Sequence, residues 1–167
     1  MNTIELMHGQ MVEYFTCEKY ESVLFILAGV AAIALSVVVF LKFRSYRGMI
    51  IPLAAVAVIQ IAVGSAVYFR TGGQIADFGE KIAADVRGYK ASELARMDTV
   101  MKNFRIYKFI EIALLAAGIV LTFLFRESDF IYSLGIGLII QPAFMLTLDL
   151  IAERRGEAYI RAIMELI

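Results

Sequence analysis

Hydrophobic residues along this chain are concentrated in four long runs that form two hairpin-like pairs. Three runs, residues 22–41, 48–69 and 130–148, carry no charge, and the fourth, 109–125, carries only Glu111. A helix needs roughly 20 apolar residues to cross a hydrocarbon core about 30 Å thick. The runs lack the alternation of a membrane β-barrel, so helices remain the way to satisfy the backbone in lipid. The pattern predicts an all-α integral membrane four-helix bundle, with transmembrane helices at 22–41, 48–69, 109–125 and 130–150.

The segments outside these runs carry apolar stripes at helical spacing. The stripe of Ile4, Met7, Met11 and Phe15 predicts an interfacial helix over 3–16 that lies along the membrane surface. At the other end of the chain, the pattern predicts a C-terminal amphipathic helix over 151–167 that extends the fourth span, with Gly156 as the expected break.

The polar connection between the two hairpins, residues 74–104, is also predicted to be helical. A break at 71–73 is followed by an amphipathic stripe over 74–87, which should stop near Gly88. Ser92 is the expected N-cap of the next helix, because its hydroxyl can accept a hydrogen bond from an otherwise unpaired amide. That helix should run without interruption into the third span.

Composition and charge narrow the function classes. The chain has 167 residues, is 60% hydrophobic and carries sixteen basic and sixteen acidic residues, so no nucleic-acid partner is indicated. Cys17 is the single cysteine and His8 the single histidine, which excludes an internal disulfide and disfavours a His/Cys metal site within one chain. No cofactor-binding motif is present, and the partner that composition implies is the lipid bilayer.

The two hairpins resemble each other. Each has a Glu near its entry, at Glu21 and Glu111, followed by an Ala-Gly pair about two turns later. Each return helix contains a Gln, at Gln60 and Gln141. Two spans per repeat predict a parallel duplication related by an axis along the membrane normal.

Polar residues within or next to the spans are the candidate functional residues. Ionisable groups inside membranes are costly, so a pathway or binding role is a reasonable default. The opposing interpretation is that these side chains fasten the bundle, through a Lys108–Glu111 or Glu21–Arg70 pair and through glutamine hydrogen bonds between helices. The candidates for a ligand or ion pathway are Glu21, Gln60, Lys108, Glu111, Gln141 and Asp149.

Charge placement and the apolar stripes lead to two further expectations. Positive residues near the helix ends favour a cytoplasmic location for both termini. The stripes at 94–104 and 160–167 need a partner surface, and the simplest one is a second copy of the chain, so a homo-oligomer, dimeric or higher, is predicted.

Several short stretches resemble a group of small bacterial four-span membrane proteins to which no activity is attached. The resemblance implies a bacterial inner-membrane location and a four-helix architecture, and it supplies no catalytic residues. The stretches are 14–22, 48–52, 60–64, 96–97, 103–104, 111–115 and 152–155.

Three functions are compatible with these patterns. The favoured one is a non-catalytic membrane scaffold, sensor or partner-binding protein. The alternative is an ion or small-solute channel or transporter with a polar seam lined by Glu21, Gln60, Glu111 and Gln141. A lipid-modifying enzyme is the least favoured, because the sequence shows no nucleophile–base pair, metal set or phosphate-binding cluster.

Overall fold

The computed structural model describes residues 3–166 as four long helices. They are α1 (Thr3–Lys42), α2 (Ile50–Ala84), α3 (Val86–Leu124) and α4 (Asp129–Met164), with a 3-10 turn at Arg44–Met49 between the first two. All four helices are long and apolar enough to cross a membrane. The predicted all-α bundle of four spanning helices is therefore confirmed.

Each helix is much longer than a membrane is thick. The 40 residues of α1 extend over about 60 Å, twice the hydrocarbon core of about 30 Å. Exposed large apolar side chains mark where lipid contacts the bundle: they are dense in 24–46, 51–69, 106–125 and 130–151, whereas the described stretch 70–105 has none. We define a membrane half (22–69 and 106–150) and a juxtamembrane half (3–21, 70–105 and 151–166). The boundary between them is the junction.

The segment 3–16 was predicted to be a separate helix on the membrane surface, and the structure differs. It is the first part of α1 and continues into the first span without a break. Met7, Met11 and Phe15 are fully buried against the other three helices of the juxtamembrane half. The apolar stripe lies against protein here because the extended helices offer it a surface out of water.

The breaks in the polar connection also lie elsewhere than predicted. Helix α2 continues through Gly72 and Gly73 to Ala84, and α4 continues through Gly156. The chain turns at Asp85, whose carboxylate caps α3 by accepting hydrogen bonds from two backbone amides. Ser92 lies inside α3 and donates to the Tyr89 carbonyl. A helical glycine costs only about 1 kcal/mol, so packing along the helix can override it.

Small residues let the helices approach closely in the membrane half. Helix α1 packs on α2, with Gly29 against the Ala57 carbonyl, and α3 packs on α4, with Gly118 against Gly135. Near the turn of the first hairpin, Gly137 of α4 lies against Met49 and Pro52 at the start of α2. The two hairpins thus use corresponding contacts, while their origin by duplication stays a prediction.

A core of aromatic and methionine side chains fills the juxtamembrane half. It includes residues from both stripes that were expected to need a partner: Met97 from 94–104 and Ile163 from 160–167, both fully buried. Ile167 lies outside the described residues. One chain thus covers much of both stripes itself, although Met164 is 54% exposed. The stripes therefore give little support to a second copy, and the homo-oligomer stays a prediction.

Candidate functional site at the junction

Charged side chains from all four helices meet at the junction. The Arg155 guanidinium makes a two-pronged ion pair with the Glu21 carboxylate and so joins α4 to α1. Lys108 Nζ donates to both oxygens of Glu153, at 2.7 and 2.5 Å, joining α3 to α4. Arg70 and Glu18 join α2 to α1 at 3.2 Å, with the arginine half-exposed.

These pairs replace the two that the sequence suggested. Glu21 pairs with Arg155 and not with Arg70, and Lys108 pairs with Glu153 and not with Glu111. The reason is helix geometry: α4 lies beside both α1 and α3, so its side chains reach across. Sequence reasoning missed Glu153 and Arg155, although Glu153 follows Asp149 by one helical turn, a spacing that places both on one face.

Two of the predicted candidates face each other as a carboxyl pair. Glu111 of α3 lies next to Asp149 of α4, and the two side chains are 4% and 7% exposed. Neither carboxylate oxygen of Glu111 has a hydrogen-bond partner within residues 3–166. Buried charges in proteins are normally paired, so Glu111 differs from the ion-paired carboxylates around it.

Deeper in the membrane half, the two predicted glutamines meet. Gln60 Nε2 donates to Gln141 Oε1 at 3.5 Å, while the other amide atom of each side chain is buried with no partner in the described chain. Gln141 precedes Asp149 by eight residues, about 12 Å of helix. The predicted seam is therefore two separate polar groups, the carboxyl pair and the glutamine pair.

A second buried polar cluster lies in the juxtamembrane half and was missed from the sequence. Glu93 is 1% exposed and accepts two hydrogen bonds from Arg96, at 2.8 and 2.7 Å. The Arg96 guanidinium lies over the rings of Phe15 and Phe78. The spacing of three between Glu93 and Arg96 was a visible signal, but exposed pairs of this kind are common and rarely important.

Tyrosines complete this cluster. The hydroxyls of Tyr89 and Tyr159 are 2.6 Å apart, and the Tyr14 ring stacks on Tyr159 with 4.3 Å between centroids. Burial raises the pKa of Tyr14 and of Tyr89 to about 12, because the ionised phenolate would be desolvated. Burial also raises the pKa of Tyr159.

The donor set at the junction does not suit a metal ion. No three His, Cys, Asp or Glu side chains within residues 3–166 are placed to share one. Two open cavities lie in the juxtamembrane half, one lined by Ile4, His8 and Gly79 among others, and one by Tyr14, Arg155 and Tyr159 among others.

The fold and the site define a class, a multi-pass α-helical membrane protein with an acidic junction. Comparison with protein-family models, with curated proteins and with solved structures gave no match. Further assignment therefore depends on the geometry of this chain.

Proposed function

We propose that this chain is a non-catalytic sensor of the bacterial inner membrane. The membrane half and the junction respond to the stimulus. The juxtamembrane half changes its conformation as a consequence, and a partner protein on the cytoplasmic side binds that conformation. The location and orientation rest on the resemblance and on the positive-inside bias of the sequence. The side chains that lie around the junction carboxyls are Glu21, Lys108 and Glu153, a set of ion-pairing groups that favours a binding role over catalysis.

The continuity of the helices carries this proposal. Each of the four passes through the junction without a break, at about residues 21, 70, 105 and 151. Two junction ion pairs, Arg155–Glu21 and Lys108–Glu153, then tie α4 to its neighbours on both sides. A shift of one helix at the junction must therefore move the juxtamembrane half as well, because tightly packed helices are hardly compressible and transmit the displacement.

Paired spin labels in the juxtamembrane half test the proposal. In a Cys17→Ser background, labels at Thr99→Cys on α3 and Glu157→Cys on α4 occupy exposed positions. We expect their distance in proteoliposomes to change when pH, salt or membrane potential is varied. Labels at Ala76→Cys and Ala83→Cys, both exposed on α2, are the matched control and should keep their spacing. A constant distance between α3 and α4 under every stimulus would contradict a sensor.

One observation favours the alternative function, an ion or small-solute pathway. Gln60 and Gln141 present two amide atoms deep in the membrane half that have no hydrogen-bond partner among the described residues, a place suited to a permeating ion or water. Flux into proteoliposomes that is lost in Glu111→Gln, with oligomer size unchanged, would replace the sensor with a transporter. Absence of flux for protons and common ions would retain the sensor.

A further inference from the structure

We propose that Glu111 and Asp149 form a proton-binding site in which the two carboxyl groups hold one proton between them. Binding converts one carboxylate to a carboxylic acid, whose O–H then donates to the other carboxylate. Release leaves two carboxylates facing each other across α3 and α4. Such a site would supply the stimulus of the sensor and in that respect rests on the proposed function.

The first support is the state of Glu111. Its side chain is 4% exposed, and neither of its oxygens accepts a hydrogen bond from an N–H or O–H group of the described residues. An ionised carboxylate buried in this way is strongly disfavoured unless something neutralises it. Its polar neighbour is the Asp149 carboxyl, which can supply a donor only when one proton is present.

The second support is the charge balance of the groups that face the pair. Glu21 of α1, Lys108 of α3 and Glu153 of α4 lie close to Asp149, and Arg155 of α4 is the ion-pair partner of Glu21. Both cations are already engaged, Lys108 with Glu153 and Arg155 with Glu21. On α2, Arg70 is bound to Glu18 and is half-exposed. The layer thus holds two carboxyls in excess of its cations, and these are Glu111 and Asp149.

The third support concerns which cation fits. Calcium takes six to eight oxygen ligands and magnesium demands near-octahedral geometry. The described side chains offer two carboxyls here and no third His, Cys, Asp or Glu in place. The Lys108 ammonium close to Asp149 also repels a metal ion. A proton needs only the two facing carboxyls, as in other carboxyl pairs that share one.

Infrared difference spectroscopy of the protein in phosphatidylcholine vesicles tests the inference. We expect a carboxylic-acid C=O band that grows as pH is lowered, and that disappears in both Glu111→Gln and Asp149→Asn. Each amide substitution supplies a permanent N–H donor to the remaining carboxylate. Loss of the same band in both variants shows one shared proton. The matched control is Asp98→Asn, since Asp98 is 64% exposed and outside the site, and the band should survive there.

Three results would overturn the inference. They are a wild type without such a band, a band that Glu111→Gln and Asp149→Asn leave unchanged while circular dichroism shows both folded, and a band that sodium, potassium or calcium removes at constant pH. The spin-label distances separate this inference from the sensor. If the band titrates but the label distances stay constant, the proton site is supported and the sensor is rejected. If the distances respond to another stimulus and no band is seen, the sensor is supported and the proton site is rejected.

Discussion

The same four helices are packed in two different ways on the two sides of the junction. In the juxtamembrane half, large side chains such as Met97 and Tyr89 fill the space between helices, and burying them from water drives packing. In the membrane half, Gly118 and Gly135 bring backbones together, and large apolar side chains point outward. Lipid tails are as apolar as the side chains, so close backbone approach has to hold the helices there.

Two buried glutamates show the same contrast. Glu93 in the juxtamembrane half is neutralised by Arg96 and so has a structural explanation. Glu111 in the membrane half faces another carboxyl and has no donor within the part of the chain described. Glu111 is thus a buried acid that packing does not neutralise, whereas Glu93 is neutralised by the ion pair that its own helix supplies.

The largest effect is expected from Arg96→Ala. It leaves the Glu93 carboxylate buried without its partner, which typically costs about 3–5 kcal/mol of unfolding free energy. Chemical unfolding of the purified protein in detergent measures this loss of unfolding free energy. Lys102→Ala on the same helix is the control, because its pair with Asp98 is exposed on both sides and should contribute under about 1 kcal/mol. Equal losses in the two variants would argue against a structural role for Glu93 and Arg96.

Alkaline pH should weaken the juxtamembrane half through its tyrosines. Below the ordinary pKa of 10.0, the folded and unfolded states both keep the phenol proton, so this contribution to stability is intact. Between pH 10 and about 12 the unfolded chain ionises while Tyr14 and Tyr89 do not, so the free energy of unfolding falls. The loss amounts to about 2–3 kcal/mol for each tyrosine. The free energy of unfolding should fall less steeply with pH in Tyr14→Phe than in the wild type. An equally steep fall in the variant would show that Tyr14 does not contribute to the loss.

A glycine substitution should be costly only where the backbones touch. In Gly118→Ala the new Cβ would lie 2.8 Å from the Gly135 carbonyl oxygen, and overpacking of this kind costs about 1–3 kcal/mol. Gly72→Ala, with no neighbour within 4 Å, should instead stabilise its helix by about 0.5–1 kcal/mol. Thermal melts in detergent compare the two, and a change of the same sign in both would refute the close-packing explanation.

The smallest effects are expected at the junction itself. Glu111→Gln replaces a shared proton with an amide donor, so stability at acidic pH should be nearly unchanged. Glu153→Gln removes the charge partner of the mostly buried Lys108 and should cost about 1 kcal/mol. Melting temperatures at acidic pH distinguish them. A larger loss in Glu111→Gln than in Glu153→Gln would indicate that Glu111 is ionised there.

Sequence patterns predicted the four spans and six of the eight side chains in the pairs Glu21–Arg155, Lys108–Glu153, Glu111–Asp149 and Gln60–Gln141, missing Glu153 and Arg155. Glu111 and Asp149 were recognised because an acid within or beside an apolar run is unusual, and Gln60 and Gln141 because each interrupts a span. The partners were harder to predict. Glu21 bonds to Arg155, 134 residues away, and no local pattern joins two such positions. The breaks were also misplaced, because glycine is a weak helix breaker when packing supports the helix.

Hydropathy and length were enough to identify four membrane-spanning helices, because both are local properties of the chain. The tertiary structure decided which carboxyl obtains a cation. That choice depends on how four helices are rotated and spaced, and only once α4 lies between α1 and α3 are Lys108 and Arg155 engaged elsewhere. Glu111 and Asp149 then face each other, because Lys108 is bound to Glu153 and Arg155 to Glu21.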